Sequence, residues 1–224
     1  MSGHVPLAVL FDLDGTLIDT APEFVAIGLR LRQAAGLPAV APEAIRRRVS
    51  DGAIGMVAAA LEIATADPTF EQWRQRFLND YEKGLGQHSE PYPGLRALVS
   101  ALGVSGIKWG VVTNKLSRFA HPLMEKMNFN PPADIIITPD DVSQPKPHPE
   151  SLILACKRLN CPPDRSVFVG DHRRDIEAGK AAGCATIAAA YGYLADGESA
   201  TAWKADAIAY NSLELSQMIE NQLQ

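Results

Sequence analysis

Asp12 and Asp14 stand two residues apart, just past the apolar run LAVLF at residues 7–11. An unpaired carboxylate is costly to bury. Two of them placed where a strand must leave the core therefore imply a solvated loop or a positive partner. Three other places share the pattern. Thr113 and Asn114 close the run WGVVTN, Asp171 and Asp175 follow SVFVG (166–170), and Lys146 lies in a proline-rich loop after DIIIT (134–138). Phosphoryl transfer through a covalent enzyme intermediate needs such a set. One carboxylate attacks phosphorus, and a second gives a proton to the leaving oxygen and later takes one from water. Both reactants are anionic, so their repulsion must be cancelled. Lys146 supplies one positive charge, and the Thr113 hydroxyl and loop amides supply donors. A few hard carboxylate oxygens with open water positions suit Mg²⁺. Asp12 and Asp14 project to the same side of an extended chain, and Gly15 lets the backbone turn close to a phosphate.

These groups can cooperate only if their strands lie side by side. Strand-like apolar runs at 7–11, 109–113, 134–138, 166–170, 184–190 and 206–210 alternate with helix-length segments at 94–103, 117–128, 149–159, 173–182 and 212–222. Short apolar strands alternating with helices predict an α/β, Rossmann-like parallel sheet covered on both faces, with ligands at the carboxyl ends of its strands. Residues 20–88 break this rhythm. Thr20 and Glu23 form a capping-box pattern with Pro22 in the first turn. Phe24, Ile27, Leu31 and Ala34 follow at helical spacing until Gly36 and Pro38 stop the helix. Further helices are expected near Pro42, near Ala53 and after Pro68, the last with a stripe of Phe70, Trp73, Phe77 and Tyr81 assigned to core packing. The expected organisation is a catalytic core of residues 1–19 and 89–224, with residues 20–88 as a helical cap inserted after the first strand.

The bulk composition narrows the partners. A chain of 224 residues with net charge −5 lacks the basic surface of a nucleic-acid binder, although a local positive site for a small anion remains possible. The run 5–11 is too short to span a bilayer and ends in acids. The cysteines, Cys156, Cys161 and Cys184, have no metal or redox spacing, as expected of thiols in a reducing cytoplasm.

The segments DLDGTLIDT (12–20), VVTN (111–114), KPHPE (146–150) and VGDHRRDIEAGKAAG (169–183) resemble, in order, the four motifs of the haloacid-dehalogenase-like phosphatases. The likeness covers almost the whole chain and includes the helical cap between the first and second motifs. In general form it is nearest the phosphoglycolate phosphatases. The stretches at 20–40, 109–124 and 151–160 look more particularly like bacterial N-acetylmuramic acid 6-phosphate phosphatases. The resemblance implies roles: Asp12 as nucleophile and Mg²⁺ ligand; Asp14 as general acid/base, binding the metal through its backbone carbonyl; Thr113 and Asn114 on the phosphoryl group; Lys146 balancing charge; Asp171 as the third protein contact to Mg²⁺; Asp175 orienting the loop and Lys146. It implies a cytoplasmic enzyme for a small phosphorylated metabolite, monomeric or homodimeric, acting on neither nucleic acid nor membrane.

Plainer readings compete with each role. Asp12 and Asp14 could form a turn and a helix cap. Thr113 and Asn114 could cap a helix, Asp171 and Asp175 could answer a helix dipole, and Lys146 could be a solvated loop residue. His172 departs from the small or acidic residue usual at its place; it could touch the substrate or a metal-bound water, but is expected to face solvent at a helix start, as is His148, although a cis Lys146–Pro147 bond would re-aim that loop. Arg46, Arg47 and Arg48 read as a solvated helix face or as a greeting for an anion. The glycine-containing loop 50–55 could approach a substrate or merely turn, and Lys115 is expected at the surface, with a reach to the site entrance as the alternative. A sugar-phosphate phosphomutase would use the same acids. A C–halogen hydrolase would need neither Asp14 nor Asp171, and a non-catalytic binding module would not need the intact acid set.

Overall fold

The computed structural model describes residues 5–195 and 197–223. The first strand, β1 (Ala8–Phe11), is wholly buried. It passes through the acidic turn into the two-residue strand β2 (Ile18–Asp19), then into four helices: α1 (Ala21–Ala34), α2 (Pro42–Arg46), α3 (Gly52–Leu61) and α4 (Phe70–Gly84). The chain returns through β3 (Glu90–Pro91), antiparallel to β2. Helices and strands then alternate: α5 (Leu95–Val104), β4 (Lys108–Val112), α6 (Ser117–Met127), β5 (Ile135–Ile137), α7 (Glu150–Leu159), β6 (Ser166–Gly170), α8 (Arg173–Ala182), β7 (Ala185–Ala189), β8 (Ala207–Ala209) and α9 (Ser212–Glu220).

The sheet runs β5-β4-β1-β6-β7-β8 with every pairing parallel. Alternation along β1 explains its unbroken apolar run. Val9 and Phe11 enter the core shared with α5 and α6, whereas Leu10 packs on the opposite face with Phe168, Leu152 and Ala155. Both faces are covered, so no residue of the strand is free to be polar until the sheet edge. Register then sets that edge. Phe11 lies opposite Val111 and Val169, so the residues just beyond, Asp12, Thr113 and Asp171, emerge together.

The expected sheet and its helices are present, with boundaries within two residues. The pairing of β2 with β3 was not foreseen, because two residues are too short to carry a period. The capping box at Thr20 and Glu23 is also overturned. Thr20 makes no side-chain cap, because its hydroxyl donates to Asp14 Oδ1 at 2.6 Å. The free N–H groups at the start of α1 are met instead by Tyr193 Oη, which accepts from Thr20 N at 2.7 Å and Ala21 N at 2.9 Å. Glu23 accepts from the backbone of the returning chain at Gly86, His88 and Ser89. Tertiary partners have outbid the local motif.

Helices α1, α3 and α4 pack on one another. Phe24 lies 5.5 Å from Phe77 and 4.6 Å from Tyr81, centroid to centroid, so part of the α4 stripe is core as expected. No helix among the described residues is long and apolar enough to cross a membrane.

Candidate active site

The ends of β1, β4 and β6 and two loops assemble the site. Lys146 is 3% exposed, and its ammonium touches three oxygens: Asp12 Oδ1 at 2.9 Å, Asp175 Oδ1 at 2.7 Å and the Val112 carbonyl at 2.8 Å. Its backbone is gripped by Asn114, whose Nδ2 donates to the Lys146 carbonyl and whose Oδ1 accepts from its N–H. The Lys146–Pro147 bond is cis. Asp175 accepts from His172 N at 3.0 Å with its other oxygen. Thus the loop residue least anchored by sequence is held by groups from β4 and α8.

Electrostatics explain why these charges stay buried. Burial alone would raise the Asp12 carboxyl, but Lys146 outweighs it and holds Asp12 below the usual carboxylate range. Burial likewise opposes the Lys146 ammonium, yet Asp12 and Asp175 hold its pKa above the ordinary value. Asp171 has no such partner. It accepts from Tyr193 N at 2.9 Å, Thr16 Oγ1 at 3.3 Å and Ser50 Oγ at 3.2 Å, all neutral donors. Burial, with Asp12 and Asp175 nearby, pushes its carboxyl up to about 8. Burial also raises Asp175, against the pull of Lys146.

That imbalance bears on a metal. Asp12, Asp171 and Asp175 are buried and offer one oxygen each within 4.8 Å of one another. Three buried acids share one buried lysine, with Arg174 nearby but paired to none of them, and such a carboxylate cluster fits a hard divalent cation with oxygen ligands, Mg²⁺ above all.

Asp14 lies at the mouth. Lys115 Nζ touches its two oxygens at 2.8 and 3.1 Å, and the same ammonium sits 4.6 Å from the Tyr81 ring centroid and 5.0 Å from that of Phe24. The Lys115 side chain is 5% exposed. The expected surface position is therefore corrected: the aromatic stripe of the helical segment closes over this lysine and buries its stem. A cleft of about 340 Å³ opens here. Asp12, Asp14, Thr113, Asn114 and Lys115 form its sheet side, and Phe24, Val49, Phe77, Leu78 and Tyr81 its opposite wall.

Other expectations resolve individually. Gly15, with φ of +82°, does not line the cleft; an added Cβ would fall 2.2 Å from Asp171 Oδ2, so its lack of a side chain makes room for Asp171. His172 caps α8, its Nδ1 accepting from Arg174 N at 3.1 Å; burial and Arg174 keep its pKa below the usual histidine value. His148 Nδ1 accepts from Glu150 N at an exposed turn. Arg46 is no free basic face: it pairs with Asp19 at 3.1 Å and lies 5.3 Å from the Tyr193 ring centroid. Loop 50–55 does reach the cleft, through Ser50, Asp51, Gly52, Ala53 and Ile54. All three cysteines are free and buried.

Two residues of the site were missed. Tyr193 holds Asp171 through its N–H, and the start of α1 and Asp19 through its hydroxyl. Arg174 reaches the cleft beside Asp12 and donates to the Ser50 carbonyl. For Arg174 the available signal was its place between two acids that were already singled out. For Tyr193 the sequence offers none.

A parallel sheet with catalytic-type acids at its carboxyl edge and a helical insertion after its first strand defines a class, and comparison with known proteins gives the class its name. Residues 9–189 match the model of the haloacid dehalogenase-like hydrolases, and the chain belongs to that family. It is 44% identical over 216 residues to an N-acetylmuramic acid 6-phosphate phosphatase of Pseudomonas aeruginosa, covering 96% of each chain. It is 34% identical to a phosphoglycolate phosphatase of Xanthomonas campestris, covering 91% of each. A crystal structure of a predicted phosphoglycolate phosphatase from Haemophilus somnus superposes with a TM-score of 0.84 at 24% identity, covering 97% of this chain and 99% of that one, which is a likeness of fold.

Proposed function

We propose that this chain is a Mg²⁺-dependent phosphomonoesterase of the cytoplasm, with residues 20–88 capping a core of residues 1–19 and 89–224. The observation that carries the reading is the meeting of Asp12, Asp171 and Asp175 at one sheet edge, with Lys146 paired to Asp12 and Asp175. Asp12, held ionised by Lys146, attacks phosphorus. The bond from phosphorus to the ester oxygen breaks, its electron pair stays on that oxygen, and Asp14 delivers the proton. The aspartyl phosphate on Asp12 is then attacked by water, which gives a proton to Asp14 as the bond to Asp12 breaks and inorganic phosphate forms. Thr113 and Asn114, on the cleft wall beside Asp12, direct donors at the phosphoryl oxygens. Asp12, Asp171 and the Asp14 carbonyl are the ligands we assign to Mg²⁺, which when bound neutralises charge between nucleophile and phosphate. Lys115, whose ammonium contacts both Asp14 oxygens, holds that side chain at the mouth of the cleft.

Of the two substrates named for its relatives, we favour N-acetylmuramic acid 6-phosphate over 2-phosphoglycolate. The identity to the relative named for the first is 44%, against 34% for the second. The cleft of about 340 Å³, walled by Phe24, Phe77 and Tyr81, offers apolar surface that a two-carbon acid would leave uncovered. The test is kcat/KM across both esters and common sugar phosphates, expected highest for the amino-sugar phosphate. A preference for phosphoglycolate would reverse the substrate choice, and a requirement for a bisphosphate activator would replace the hydrolase with a phosphomutase.

A further inference from the structure

The cations around the cleft are largely spent on the protein's own acids. Lys146 is enclosed by Asp12, Asp175 and a carbonyl. Lys115 sits on Asp14, and Arg74 on Glu71 at 2.7 Å. Of the arginines and lysines that line the cleft, only Arg174 carries no carboxylate among the described residues. One of its terminal nitrogens donates to the Ser50 carbonyl, and its Nε is buried with no acceptor. A buried donor left without an acceptor is expensive, and a guanidinium offers an edge shaped for a two-oxygen anion. Its side chain lines the same cleft as Asp12, Asp14, Thr113 and Asn114.

We infer that Arg174 binds the phosphoryl group of the substrate, as a binding residue of the hydrolase proposed above, on which this inference rests. Nε supplies the free donor. The grip on Ser50 ties the same guanidinium to loop 50–55, so the arginine is aimed when that loop lies against the sheet edge. An anion held there would meet a positive charge that no acid of the protein already claims.

The test compares wild type, Arg174→Gln and Arg174→Lys as full chains loaded with Mg²⁺, each checked for an unchanged melting temperature. Binding of inorganic phosphate is read by calorimetry and KM by steady-state kinetics. Loss of one charge-assisted contact should weaken phosphate binding and raise KM by about tenfold in Arg174→Gln, with a smaller loss in Arg174→Lys, which keeps the charge. Unchanged phosphate affinity in both variants would overturn the inference and leave Arg174 a latch for loop 50–55. A loss seen only with esters carrying a carboxylate, and not with inorganic phosphate, would also overturn it, since the arginine would then serve the leaving group. Phosphate binding does not depend on turnover, so a wild-type protein that binds phosphate but hydrolyses no ester would sink the hydrolase reading and not this one.

Discussion

The two sides of the cleft are made of different material. The sheet side is charged and locked: Asp12, Lys146, Asp171 and Asp175 are each at most 5% exposed, with contacts of 2.7–3.3 Å from strand ends and adjoining loops. The helical side is mainly apolar, built from Phe24, Phe77 and Tyr81, and Ser50 with Arg174 forms one polar link between the two. A residue placed directly after a buried strand has little freedom, so its chemistry is fixed by register. A residue on a helix docked over that edge is fixed only by packing, which many side chains satisfy. The first side should therefore respond to single-atom changes, and the second to changes of shape.

The sharpest way to break that contrast is Asp12→Asn. An amide cannot serve as nucleophile, so turnover should fall on the order of 10⁴-fold or more while near-ultraviolet circular dichroism stays native; substantial residual kcat would remove Asp12 from its role. Asp14→Asn should cost about 10²–10⁴-fold in kcat by loss of proton transfer, measured under the same saturating conditions. Lys146→Met leaves Asp12 and Asp175 without their counter-ion and should cost about 3–5 kcal/mol of stability in urea unfolding; a neutral result would mean the buried acids do not depend on it.

Metal removal tests the charge imbalance directly. EDTA should silence the enzyme and Mg²⁺ restore it, with Ca²⁺ a poor substitute. The pH dependence has a definite sign. In the metal-free protein, burial and neighbouring acids lift the Asp171 carboxyl to about 8 and raise Asp175, so the folded state binds more protons than the unfolded one above the ordinary carboxylate range. The stability these two contribute is complete in acid and lost as pH rises through the folded values. Asp12 is shifted downward and acts only at lower pH. The melting temperature without metal should thus fall from pH 5 to pH 8, and the increase caused by Mg²⁺ should be larger at pH 8, where fewer protons are displaced than at pH 5. An increase independent of pH would exclude Asp171 as a ligand. The smallest effect belongs to the helical side. The Tyr81 hydroxyl is buried with no hydrogen-bond partner, so Tyr81→Phe should move stability by under about 1 kcal/mol and leave kcat unchanged.

The same contrast decides what could be read from the sequence. The strand SVFVG was legible to the residue, and with it the placement of Asp171, because a run buried on both faces leaves no alternative. Asp12, Thr113 and Lys146 could be gathered before any coordinates, since parallel strands share one carboxyl edge. For Lys115 the sequence left the site entrance and the open surface both available and favoured the surface. Its burial depends on the docking of Phe24 and Tyr81, which lie far from it in sequence. The local rule at Thr20 and Glu23 misled for a related reason: both side chains bond groups outside the helix, Thr20 to Asp14 of the acidic turn and Glu23 to the returning segment. Tyr193 was invisible because a tyrosine in a loop has no pattern, and only the fold reveals that its hydroxyl meets the first turn of α1.

Glu23 carries a consequence of its own. Its carboxylate, in the outgoing segment, takes N–H groups from three residues of the returning one, and β2 and β3 run alongside just below. The two threads that join the helices to the sheet are thereby knotted into one stalk. The helices are therefore carried on one cross-braced base in place of two independent tethers.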